Sequence, residues 1–163
     1  MKTRLVSKRS LIIAVALAAL AMPTFALSST GTLSLSGTVA PVTTITVTPD
    51  ANASALPVGV ATTNLKIATV VELSNSKAGY TVTLTSANSG ALKETSGTDS
   101  QAYTLTYGSN PVTFTSGTAT LTTSTTRSAT AAGSSNILYI SFPAAFLNAD
   151  SYTDSLTFTI TSP

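Results

Sequence analysis

The feature that most constrains the fold is a strict two-residue alternation of apolar side chains with threonine or serine. Tyr80-Thr81-Val82-Thr83-Leu84-Thr85 carries apolar residues at even positions and Thr at odd ones. Tyr103-Thr104-Leu105-Thr106-Tyr107 and Val112-Thr113-Phe114-Thr115 repeat the pattern. So does 152–161, where Tyr152, Leu156, Phe158 and Ile160 alternate with polar residues. A period of two sends alternate side chains to opposite faces of a strand, so one set enters a core and the other meets water. β-Branched Thr suits the wet face of a pleated surface. From Leu27 onward 51 of 137 residues are Ser or Thr, a load that also suits an unfolded stalk. A stalk has no reason to keep its apolar residues in register, so the chain is all-β.

Strands are expected at 32–39, 42–48, 56–60, 64–73, 79–86, 102–107, 111–122, 137–142 and 152–161. Turn-rich breaks such as Pro49-Asp50-Ala51-Asn52 and Tyr107-Gly108-Ser109-Asn110-Pro111 separate them. Short strands at this spacing suggest a two-sheet sandwich. Residues 137–142 are apolar on both faces, as in a central strand, and 143–147 fit one helical turn or a tight crossing.

Residues 1–26 read as a secretory signal. Lys2, Arg4, Lys8 and Arg9 form a positive start, and 11–21 is an uncharged apolar run of 11 residues, too short to span a bilayer. Pro23 then breaks the helix, and cleavage is expected between Ala26 and Leu27. Four of the eight basic residues leave with this segment. Lys66, Lys77, Lys93 and Arg127 then face six acids, and the net charge turns from +2 to −2. A weakly acidic chain with no basic stripe has little to offer a phosphate backbone, so no nucleic-acid partner is expected.

The chain has no Cys and no His. That excludes a Ser-His-Asp triad, a thiol nucleophile, a disulfide, and a zinc site of nitrogen and sulfur ligands. Asp150 and Asp154 lack the spacing of a calcium loop and read as turn carboxylates that accept from backbone amides. Glu94 and Asp99 lie in a polar stretch and read as solvated loop charge rather than an acid/base pair. Asn52-Ala53-Ser54 matches a glycosylation acceptor, which matters only in a eukaryotic source. Tyr80, Tyr103, Tyr107, Tyr139 and Tyr152 could form a sugar-binding face, but strand spacing favours packing roles. No catalytic residue, metal, cofactor or small-molecule substrate is expected.

Gly31-Thr32-Leu33-Ser34-Leu35-Ser36-Gly37-Thr38-Val39 puts Leu33, Leu35, Gly37 and Val39 on one face and hydroxyl residues on the other. This pattern resembles the N-terminal extension of chaperone–usher pilus subunits. Three further stretches carry the same resemblance. Leu56-Pro57-Val58-Gly59-Val60 followed by Leu65 is similar to a second-strand region of those pilins, and 78–84 (AGYTVTL) to their central strand. Residues 149–160 resemble the closing strand of pilins and of spore-coat-U-like subunits. The chain departs from the type 1 group in lacking its Cys pair, in having Asp150 for a Gly, and in ending Thr161-Ser162-Pro163.

The resemblance implies an incomplete immunoglobulin-like sandwich, residues 41–163, preceded by a donor strand at 27–40. It implies donor positions Leu33, Leu35, Gly37 and Val39, and a strand closing an open groove with Tyr152, Leu156, Phe158 and Ile160. Its partners would be neighbouring copies, a periplasmic chaperone and an outer-membrane usher, with export through the periplasm to a surface fimbrium. The alternative is a complete secreted sandwich that binds carbohydrate or a surface as a monomer.

Overall fold

A computed structural model describes residues 28–163. The expected secretory segment and the cleavage pair Ala26 and Leu27 lie outside the described residues. The chain divides after Gly37. Residues 28–37, the described part of the first unit, form neither strand nor helix and are exposed.

The second unit is all-β and antiparallel. Five strands form one sheet in the order β1 (Thr43–Pro49), β2 (Thr62–Ser74), β9 (Ser134–Phe142), β6 (Thr104–Tyr107), β7 (Asn110–Val112). A second sheet runs β11 (Leu156–Thr161), β3 (Tyr80–Ser86), β8 (Thr118–Ser124). A small third one is β10 (Tyr152–Thr153), β4 (Ala91–Glu94), β5 (Ser100–Ala102). Val70, Leu105, Leu138 and Ile140 of the first sheet share one apolar cluster with Leu84 of the second and Leu92 of the third. This arrangement is consistent with a β-sandwich. A single 3₁₀ turn, Ala51–Ser54, is capped by Asp50, whose carboxylate accepts from the Asn52 N–H.

The alternation explains the burial. On β3, Tyr80, Val82, Leu84 and Ser86 are buried, whereas Thr81 and Thr83 are only half-covered and Thr85 is exposed. β2 buries Ala68, Val70, Glu72 and Ser74 on one face. Gly79 turns the chain into β3 with φ +89, where an added Cβ would collide with the Ser124 carbonyl.

Several expectations need correction. Residues 32–39 form no strand, and every residue of the stretch is exposed. Residues 56–60 are a turn, because Gly59 takes φ +86 and the Val60 N–H donates to the Pro57 carbonyl. The stretch 102–107 divides into β5 and β6, and 111–122 into β7 and β8, the latter across a turn in which Ser116 and Gly117 both have positive φ. The closing segment 152–161 breaks at Asp154, so Tyr152 pairs with Glu94 on β10–β4 while β11 pairs with β3. Residues 143–147 contain no helix. β4 was not expected at all.

Candidate functional site

β1 and β11 are edge strands of different sheets. Among the described residues β1 pairs only with β2, and β11 only with β3. The two lie side by side with no ladder between them. They meet at one end, where the hydroxyls of Thr43 and Ser162 are 2.9 Å apart. Towards Pro49 and Leu156 they enclose a cavity of about 430 Å³. Its walls include Val47 and Pro49 from β1, Leu156 and Phe158 from β11, and Ile67 and Leu138 on the floor.

The side chains along this groove are incompletely covered. Leu156, Phe158 and Ile160 point inward yet are only half-buried, whereas Val82 and Leu84 on the neighbouring strand are 0% exposed. Val47 on the opposite wall is 39% exposed. An edge with free N–H and C=O groups beside uncovered apolar side chains is a template for another strand. Of the four residues expected to close the groove, Tyr152, Leu156 and Phe158 line the cavity; Ile160 lies on the same face of β11 beyond it. Tyr152 reaches it from the third sheet.

A polar clamp fixes the mouth. Asp154 accepts at Oδ2 from the Ser86 hydroxyl (2.6 Å) and the Tyr103 hydroxyl (2.5 Å), and at Oδ1 from the backbone N–H of Asn88 (2.9 Å) and Ser155 (2.7 Å). The Asn88 side-chain amide donates to the Thr153 carbonyl. Two of these four bonds, from Ser86 and Asn88, tie the β10–β11 junction to the end of β3 and the turn after it; the Tyr103 bond ties it to the segment before β6, and the Ser155 bond is local. Burial pushes the Tyr103 hydroxyl well above the usual phenol range, and its bond to Asp154 adds to the shift.

A second polar group lies buried among the strands. Glu72 is fully buried, and its Oε1 accepts from Tyr107 (2.5 Å) and Thr122 (2.9 Å), while Oε2 has no protein partner. The Tyr107 hydroxyl is likewise pushed up, first by burial and then by Glu72. Sequence reasoning passed over Glu72. Its signal was available, because Val70, Glu72 and Ser74 occupy the inward face of one alternating strand.

The other singled-out residues have ordinary roles. Asp150 accepts from the N–H groups of Ser151 and Ser96, which hold its carboxyl below the usual range. Glu94 accepts from the Asp99 N–H, and Asp99 from that of Asn148. Among the described residues no group of three or more potential metal ligands gathers, and no helix is long and apolar enough to cross a membrane. Tyr80, Tyr103 and Tyr107 are buried, and Tyr139 and Tyr152 are half-buried, so the tyrosines form no exposed face.

Leu33, Leu35 and Val39 are 81%, 86% and 85% exposed. Gly37 has no atom within 4 Å of the position its Cβ would take. No protein-family model matches the sequence, and no curated protein matches it significantly.

Proposed function

We propose that this chain is a structural subunit of a surface pilus, an incomplete immunoglobulin-like sandwich whose groove receives residues 31–39 of the next copy. The observation that carries the reading is the pair of facing, unpaired edges, β1 and β11, with half-buried apolar residues between them. The ribbon 33–39 and strand β1 each have seven residues, about 20 Å of strand, so one fits along the other. Burying Leu33, Leu35 and Val39 at ~1.5–3 kcal/mol each yields roughly 5–9 kcal/mol before any ladder hydrogen bond forms. Gly37 would enter the groove as the one donor position without a side chain.

Such a contact is head-to-tail and does not close on itself, so it propagates as a fibre. Until a neighbour arrives, the open groove is an aggregation hazard, which gives a periplasmic chaperone its task and an outer-membrane usher its substrate. The role needs no cofactor and no catalysis. The fibre would serve adhesion or biofilm formation at the cell surface.

Deleting residues 27–39 tests the reading. The intact mature chain should give a ladder on an SDS gel that collapses to one band on boiling. The truncated chain should give one band in both lanes. A truncated chain that still forms the ladder contradicts the assignment.

A further inference from the structure

Phe146 is fully exposed, and Val60 beside it is 61% exposed. The loop carrying Phe146 is held down by the Ala145 N–H donating to the Gly59 carbonyl, 3.0 Å. Both apolar residues border a hollow of about 350 Å³ that shares Tyr152 with the groove. This apolar patch therefore continues the groove past its open end. Around it stand Glu94, Asp99 and Asp150, bonded to the N–H groups of Asp99, Asn148 and Ser96 respectively. Lys93 precedes Glu94 on the same short strand, with its side chain on the opposite face.

The opposite end of the sandwich has the complementary character. Asn75 anchors the start of the body there, its Oδ1 accepting from the Val42 N–H (2.7 Å) and its Nδ2 donating to the Ala40 carbonyl (2.8 Å). Next to this anchor is a hollow of about 260 Å³ walled by Val42, Leu73, Ala129, Ala131 and Arg127. Lys77 is exposed in the adjoining turn. Lys77 and Arg127 thus lie at the end bearing the N-terminal anchor; the other two cations from Leu27 onward, Lys93 and the Asp50-paired Lys66, lie at the end that carries Glu94, Asp99 and Asp150.

We propose that these two ends dock against each other between successive copies of the chain, with Phe146 and Val60 of one copy entering the hollow beside Val42 of the next. The inference rests on the strand-addition reading above and extends it from the ribbon to the bodies. Only Ala40 and Pro41 separate Val39 from the anchored body, about 7–10 Å of chain. A ribbon seated in the groove therefore brings its own body against one end of the acceptor. The Thr43–Ser162 end is narrowed by their hydroxyl contact and is where the acceptor's own chain leaves. The incoming body is left with the Pro49–Leu156 end, which carries Tyr152 and Phe146. There Arg127 and Lys77 of the newcomer approach Glu94, Asp99 and Asp150, and opposite charge steers the encounter.

The chain has no Cys, so a two-cysteine variant reports the contact cleanly. Phe146→Cys with Ala129→Cys, both at exposed positions, should form intermolecular disulfides under mild oxidation and turn the heat-labile ladder into one that survives boiling without reductant. The rate should exceed that of a control pair, Thr120→Cys with Ala129→Cys, at least about tenfold, because a standing contact raises the local concentration to millimolar or above. Arg127→Glu should keep the ladder but assemble several-fold more slowly at low salt, with the difference fading at high salt. A heat-labile ladder with no cross-linking above the control overturns this contact and leaves strand addition standing. A wild-type chain without any ladder overturns both.

Discussion

The Tyr103 hydroxyl donates to Asp154 Oδ2 at 2.5 Å, joining the residue between β5 and β6 to the junction before β11. Ser86 and Asn88 converge on the same carboxylate. The ladder with β3 holds β11 along its length, and this one acid fixes the junction that leads into it. Asp154→Ala strands a buried phenol and a buried serine hydroxyl, and water can replace the acceptor only in part. We expect a loss of about 2–4 kcal/mol of stability, read from the urea midpoint. Asp154→Asn keeps one acceptor oxygen and should lose clearly less. Equal stability of wild type and Asp154→Ala would show that the clamp is ornamental.

Tyr103 and Tyr107 make the fold sensitive to alkali. Both ionise near 10.0 in an unfolded chain and well above that when folded. A folded-state pKa raised in this way leaves stability intact below pH about 10 and removes it as pH climbs toward the folded values. Unfolding free energy should thus be flat from pH 8 to 9.5 and fall steeply above 10. Tyr103→Phe should shrink the fall, since it removes one of the buried phenols that drive it. An unchanged pH profile in that variant would locate the sensitivity elsewhere.

Gly37 has open space around it, so substitution should leave the body untouched. Gly37→Leu is expected to melt within 1 °C or so of wild type, in line with ordinary surface changes. The same substitution should abolish the boiling-sensitive ladder, because the groove would have to take a bulky side chain at the one donor position that has none. A normal ladder from Gly37→Leu would mean that the ribbon does not use this register.

Much of the architecture was legible in the alternation. Tyr80 to Ser86 and Leu156 to Thr161 present the pattern without interruption, and they are neighbouring strands. The groove itself was not legible as geometry, since which edges stay unpaired depends on long-range order. The turn at 56–60 misled because Leu56, Val58 and Val60 alternate like a strand while Gly59 takes a conformation that ends one. β4 was missed because Lys93 and Glu94 look like loop charge, although Leu92 is buried and Lys93 pairs with Ser100. The continuity of 152–161 was overstated, since Asp154 turns its side chain inward to the clamp and breaks the strand in two.

The central claim is that the sandwich has a vacancy shaped for its own N-terminal ribbon, and complementation in trans tests it most directly. A synthetic peptide of residues 28–40 would be added to a chain lacking residues 1–39, and the melting temperature followed against peptide concentration. The account predicts a rise that grows with concentration, by several degrees once peptide is about a hundredfold above its dissociation constant, where linkage supplies ~2.7 kcal/mol. A peptide carrying Leu35→Asp should give none. A melting temperature indifferent to the native peptide at every concentration would contradict it.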